Sequence, residues 1–295
     1  MSPSLSALLL VVACSLGWAG FDLLRKLLVG KVPPVALVFL LTIGSAPLFA
    51  AWMAVQGGGR PGPGYLLPAL GSVILNIVAN LLYLEGMRIA PLSVTVPLLS
   101  LTPAFASLMA LPLLGERPSP MHATGILLVV AGAIALHWRR RSAADDGHQG
   151  TDGHQGTVKG ALMIAFTALL WSLTIPLDKM AVERSSAPFH GVVVTGGVAV
   201  GVLVVLILQR RLGDLGEVRK VPGIYVLALV VSTAALGLQF LAFPQVYVGT
   251  IETLKRSIGN FMALLSGWIF FQEPVTPRKI VAVAVMAVGV GLILS

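Results

Sequence analysis

The chain alternates long apolar runs with short polar breaks. Runs of about 17–25 residues are long enough to cross a bilayer as a helix, and ten of them lie at 4–23, 35–55, 65–85, 91–113, 121–138, 158–180, 189–208, 222–243, 247–271 and 278–295. The breaks between them carry turn chemistry: "KVPP" (31–34), "QGGGRPGPG" (56–64), "GERPSP" (115–120) and "QEPVTP" (272–277). Apolar and polar residues do not alternate within the runs as they do in barrel strands, and an open strand edge cannot face lipid. Each run is therefore predicted to be a helix. The weak lipoprotein-like "VVAC" (11–14) has no basic residue before it, so it reads as part of a first membrane helix holding Cys14.

One run breaks the pattern. "IETLKRSIGN" (251–260) places Glu252, Lys255 and Arg256 inside an otherwise apolar helix. A charge at the bilayer centre costs about 2.5–3.5 kcal/mol on insertion scales, so it normally points inward. At helical spacing, Glu252, Arg256, Gly259/Asn260, Ala263 and Ser266/Gly267 form a small, polar stripe. Leu254, Ile258, Phe261, Leu265 and Trp268 form the bulky opposite face. Arg256 offers a planar fork for a carboxylate or phosphate, and Lys255 adds a mobile point charge. Glu252 is within reach of both cations. Two readings stay open: an anion site, or a self-contained ion cluster that packs the bundle. A titrating Glu252 is also a candidate for proton coupling.

Other polar residues fall at equally regular places. Asn76, Asn80, Tyr83 and Met87 line one face of the third run, where amides and a phenol either orient a polar ligand or bond neighbouring helices. Gln239 is a lesser candidate. Trp18 and Trp171 occupy equivalent runs and are candidate cavity walls. Asp22 with Lys26 and Asp178 with Lys179 stand near the ends of those runs, either as interfacial snorkelling groups or as gates.

Composition agrees with lipid as the solvent. Of 295 residues, 56% are hydrophobic and 11% charged, with mean hydropathy +0.91, against about 25% charged in soluble domains. The net charge of +8 sits in short loops, which suits anionic headgroups rather than nucleic acid. The lone Cys14 excludes an internal disulfide. With no "GxxxxGK[ST]" loop, no ligand spacing of His and no nucleophile–base pairing, neither an enzyme, a cofactor nor a metal is expected.

The polar stretch 142–157, with "DGHQGT" twice in tandem, divides the chain into 1–138 and 158–295 and is predicted, with 139–141, to be a flexible linker. The halves resemble each other. Trp18 aligns with Trp171, Lys26 with Lys179, Glu116 with Glu273 and Gly132 with Gly289. Because five helices is an odd number, the second half must enter the membrane from the opposite face. The predicted fold is an all-α membrane protein of ten transmembrane helices in two inverted-topology five-helix repeats, a plan used by secondary transporters. Arg25, Lys26, Lys31, Arg88, Arg139, Arg140, Arg141, Lys159, Arg210, Arg211, Arg219, Lys220, Arg278 and Lys279 fall on one side. Only Arg60, Arg117, Lys179 and Arg184 fall on the other. The richer side belongs in the cytoplasm, which places both termini outside.

Two halves, each closing in "LLGERPSP" or "FFQEPVTP" and a small-residue helix, resemble the drug/metabolite transporter superfamily and its EamA-like ten-helix type over nearly the whole chain. The stretch 254–277 is similar to the ninth helix of the plastid sugar-phosphate/phosphate translocators, where a Lys-Arg pair holds the substrate phosphate. The resemblance implies that role for Lys255 and Arg256. Leu99 stands where those translocators carry a second phosphate-binding Lys, so a singly charged anion suits this chain better. The family habit also puts both termini in the cytoplasm, opposite to the charge distribution. The expectation is a bacterial-type inner-membrane transporter, monomeric or homodimeric, that moves a small polar, anionic metabolite by alternating access, with possible coupling to protons or a counter-substrate. The alternatives are an exporter of amino acids, drugs or amphiphiles, an anionic-lipid flippase with a structural charge cluster, or a membrane sensor or scaffold that transports nothing.

Overall fold

The computed structural model describes residues 4–89, 98–137, 151–271 and 276–294; within these, the side chains of 26, 87–88, 136–137, 151–157, 263 and 266–271 are outside the described set. The described residues form α1 (Leu5–Val29), α2 (Pro34–Val55), α3 (Leu66–Ile89), α4 (Thr102–Leu114), α5 (Pro120–His137), α6 (Thr151–Glu183), α7 (Ala187–Leu208), α8 (Pro222–Ala242), α9 (Val248–Phe271) and α10 (Pro277–Leu294), with a 3-10 turn over Leu212–Lys220. Seven are long and apolar enough to cross a membrane: α1, α2, α3, α6, α7, α8 and α10. α4 and α5 are shorter apolar helices, and α9 has the length but carries the charged turn.

Local chemistry sets the helix ends. The Ser4 hydroxyl accepts the N–H of Ala7 at 3.2 Å, and Ser186 accepts that of Phe189 at 3.4 Å, each satisfying an orphan donor of the first turn. α4 stops at Gly115, whose φ of 68° is left-handed and lets its N–H return to Leu111.

Two expectations need adjustment. The single helix predicted over 91–113 is interrupted by a turn at 100–101, while 91–97 lies outside the described residues. Pro103 has no N–H for the carbonyl of Leu99, and the Thr102 hydroxyl donates to that oxygen instead at 2.6 Å. The predicted linker also shortens: α6 begins at Thr151, so the second "DGHQGT" copy is helical, and 139–150 lies outside the described residues. Extending a formed helix is cheaper than starting one.

Packing reverses the soluble pattern. Leu67 is 84% and Leu208 78% exposed, facing where lipid would lie, whereas Glu252 and His190 are wholly buried. The most extensive helix pairs are α3–α6, α5–α10, α2–α7 and α1–α8, followed by α4–α6, α1–α9, α4–α9, α3–α7 and α2–α8. Exchanging α1–α5 with α6–α10 in order leaves this set of pairs unchanged.

α5 and α10 meet through glycine. A Cβ on Gly125 would lie 2.6 Å from the Gly289 carbonyl oxygen, and a Cβ on Gly289 2.6 Å from that of Gly125. Backbones this close exclude any side chain. Gly289→Val is expected to lower stability by roughly 1–3 kcal/mol, as overpacking does. Gly291→Val on the same helix meets nothing and should leave melting in detergent unchanged.

Candidate functional site

α1, α2, α3, α6, α7, α8 and α9 enclose a cavity of about 500 Å³. Its mouth is marked by Asp22, a lining residue whose side chain is half exposed near the C-terminal end of α1. A buried ion pair stands towards the opposite end, at the start of α9. There Lys179 Nζ donates to Glu116 Oε1 at 2.7 Å and to the Val246 carbonyl at 2.9 Å, while Glu116 Oε2 accepts the N–H of Val248 at 2.9 Å. The carboxylate thus both pairs a buried cation and caps the N-terminus of α9, where negative charge is favoured. Glu252 lies one turn further along α9, about 6 Å at 1.5 Å per residue, so the charged turn forms the inner end of the cavity.

Glu252, Lys255, Arg256, Gly259 and Asn260 all line this cavity. Lys255 Nζ is ion-paired with Glu252 Oε1, though outside hydrogen-bond geometry, and lies 5.5 Å from the centre of the Trp18 ring. Gln239 Oε1 gathers donors from three sides: Trp18 Nε1 at 2.7 Å, Lys255 Nζ at 3.4 Å and Cys14 Sγ at 4.0 Å. The buried Arg256 Nε and Asn260 Nδ2 have no hydrogen-bond partner among the described residues. Both atoms are donors only. One carboxylate and two cations leave the turn with a surplus positive charge, so a bound acceptor of one negative charge would balance it.

The facing wall is aromatic and amide. Tyr83 Oη accepts from Arg25 Nη2 at 2.8 Å, the Arg25 guanidinium lies 4.3 Å from the Tyr83 ring centre, and Trp171 packs on the same ring with centroids 4.9 Å apart. Asn76 Nδ2 donates to Ser72 Oγ at 3.1 Å and Asn80 Nδ2 to the Asn76 carbonyl at 2.8 Å. Leu99 and Ser100, at the interrupted helix before α4, also line the cavity. Broken helices near the midplane are a recurring way to build transporter sites.

The sequence-derived site residues Trp18, Asn76, Asn80, Tyr83, Trp171, Glu252, Lys255, Arg256 and Asn260 therefore share one cavity. Asp22 pairs with Arg25 at 2.5 Å, three residues on; the expected Asp22–Lys26 pairing involves a side chain outside the described residues. Arg25 turns inward because Tyr83 and Phe21 offer it ring faces. Asp178 and Lys179 are buried, at 6% and 7% exposed. Lys179 pairs with Glu116, while Asp178 lines the cavity and accepts bonds from Ser72 Oγ and, at 3.0 Å, His190 Nε2. His190, Ser72 and Tyr65 carry no signal in the sequence, because their partners lie on other helices.

Residues 5–138 and 158–295 each match the EamA-like transporter family. The chain belongs to the EamA-like transporter family. Over 82 residues, 28% of its length, it is 42% identical to the probable 4-amino-4-deoxy-L-arabinose-phosphoundecaprenol flippase subunit ArnE of Erwinia tasmaniensis, covering 73% of that protein. A solved crystal structure with 19% sequence identity shares the fold at a TM-score of 0.75, covering 97% of this chain and 96% of that one. The protein is a transporter rather than an enzyme, a multi-pass protein of a bacterial-type inner membrane whose substrate is a small molecule.

Proposed function

We propose that this transporter crosses the membrane ten times in two inverted five-helix repeats and moves a small polar, anionic metabolite by alternating access. The helix pairs that survive exchange of the halves support the repeat, as does the separate family match of each half. The observation that carries the anion reading is the pair of buried, unpartnered donors, Arg256 Nε and Asn260 Nδ2, on the cavity wall. In this reading Arg256 and Lys255 hold the anionic group. Asn76, Asn80 and Tyr83 orient the rest, and Trp18 and Trp171 flank it. While the cavity is empty, Glu252 holds Lys255; substrate competes for that cation. Lys179 with Glu116 seals one face. Asp22 stands at the other with Arg25, and Lys26 is the repeat partner of Lys179 there.

The assay is exchange from a mixed pool. Proteoliposomes loaded with a bacterial metabolite extract should lose anions selectively, as read by mass spectrometry. A pool left unchanged would favour a membrane sensor or scaffold. A second reading, flipping of an anionic lipid, is favoured by the relative named as a flippase subunit and by Phe21, Leu23, Leu84 and Met262 in the cavity wall. Translocation of a fluorescent polyprenyl phosphate in the same vesicles would support it over the metabolite.

The distribution of Lys and Arg supports a topology with both termini outside the cytoplasm. An alkaline phosphatase fused after Ser295 is expected to be active in cells, whereas activity of a cytoplasmic reporter at that site would reverse the orientation.

A further inference from the structure

The sealed side holds a second titratable cluster that the anion site does not use. His190 on α7 is wholly buried, and its two ring nitrogens have different partners: Tyr65 Oη lies 3.1 Å from Nδ1 and Asp178 Oδ1 3.0 Å from Nε2. Asp178 also accepts the Ser72 hydroxyl, and Ser72 Oγ accepts the Asn76 amide at 3.1 Å. A hydrogen-bonded chain Asn76–Ser72–Asp178–His190–Tyr65 results, crossing α3, α6 and α7. Its first and third members line the cavity. Its last precedes α3, next to Gly64, whose carbonyl accepts from the exposed Arg184 at the sealed face. An ionised Asp178 carboxylate only accepts, so Nε2 is the donor to it and Nδ1 is left to accept the Tyr65 hydroxyl. That fixes the neutral imidazole with its proton on Nε2, directed at the Asp178 carboxylate.

We infer that the Asp178–His190 pair is the proton-binding site that couples this transporter to a proton gradient. The inference rests on the alternating-access reading. When the sealed face opens, water reaches the pair and one proton adds at Nδ1, turning imidazole plus carboxylate into imidazolium plus carboxylate. The Tyr65 hydroxyl then reverses and accepts. When the cavity face is open, the Nε2 proton passes through Asp178 to cavity water, and exchange with that water moves the remaining ring proton from Nδ1 to Nε2, restoring the starting tautomer and charge. Among the described residues, the titratable groups facing His190 are Tyr65 and Asp178. α2 and α8 present Phe49 and Phe240 there, and the Phe240 ring, 5.1 Å from that of His190, suits an imidazolium. Lys179, next to Asp178, is turned to Glu116. Glu252, tied to Lys255, is left to the anion site. Protonation turns a buried net charge of −1 into a neutral ion pair, which is cheaper to occlude, so it favours closure of the sealed face.

The test needs no substrate. Thr195, 3% exposed on the cavity wall of α7, is replaced by Cys in a Cys14→Ser background. A membrane-impermeant maleimide is then applied to reconstituted full-length protein from either side. The ratio of sealed-side to cavity-side labelling cancels the thiol's own pH dependence. This ratio is expected to fall roughly fivefold as pH falls from about 8 to about 5 and to be flat in His190→Gln and Asp178→Asn. An equally steep profile in those variants, or a flat one in the parent, overturns the proposal. Cavity-side labelling reports whether each variant is folded. If His190→Gln is not, Tyr65→Phe must shift the midpoint, and an unshifted midpoint also counts against the pair. Because no anion is present, failure of the anion reading leaves this result readable, and the reverse holds for pool exchange.

Discussion

Replacing Arg256 with Gln is expected to lower anion transport by about ten- to a hundredfold while leaving the protein as stable as before, or slightly more so. A hydrogen bond to a charged group contributes about 1.5–3 kcal/mol, and each 1.4 kcal/mol is tenfold in affinity. Stability should not follow, because Arg256 Nε already lacks a partner among the described residues and the Glu252–Lys255 pair stays intact. A group held in a low-dielectric site without compensation is one that function retains against stability. Lys255→Gln should behave in the opposite way on stability. It strands Glu252, which is wholly buried, and so lowers both transport and the melting temperature. Uptake into proteoliposomes alongside thermal melting separates the two. Equal loss of stability in both variants would point to an ion cluster that only packs the helices.

The second large effect is expected at the seal. Lys179→Met leaves Glu116, 8% exposed, as an uncompensated carboxylate against the start of α9. Breaking one partner of a buried pair typically costs about 3–5 kcal/mol, which is large beside the total stability of a fold. The double variant Lys179→Met/Glu116→Gln should recover much of this loss, since it removes both charges and a glutamine carbonyl still accepts the Val248 N–H. Melting of the two singles and the double gives the coupling directly. A double variant as unstable as the sum of the singles would show that the pair does not act as a unit. The same variants should raise labelling from the sealed side if this contact keeps that face closed.

The helices were legible where apolar runs meet clear stops. The run predicted at 35–55 is Pro34–Val55, and that at 222–243 is Pro222–Ala242, both opened by a proline that suits the first helical turn. The charged turn of α9 was legible because its periodicity lies within one helix, and Glu252, Arg256 and Asn260 share the face that the spacing implies. The break before α4 was harder to see. Pro103 was visible, but whether it ends a helix depends on how the freed Leu99 carbonyl is satisfied, and the Thr102 hydroxyl settles that locally. Pairings between helices could not be read at all. Arg25 found Tyr83 at a separation of 58 residues. Lys179 found Glu116 at a separation of 63 residues. His190 found Tyr65 at 125. Such choices are made by tertiary packing, which periodicity within a single helix does not encode.

The central claim is that the cavity selects negative charge. Counterflow of labelled succinate, glutamate, inorganic phosphate and glucose 6-phosphate, set beside neutral glutamine and glucose, tests it most directly in proteoliposomes of the unaltered chain. The cation surplus at Lys255 and Arg256 predicts that at least one anion exchanges at least about tenfold faster than either neutral compound, as one charge-assisted hydrogen bond provides. Exchange of the neutral compounds at the rate of the anions would contradict it.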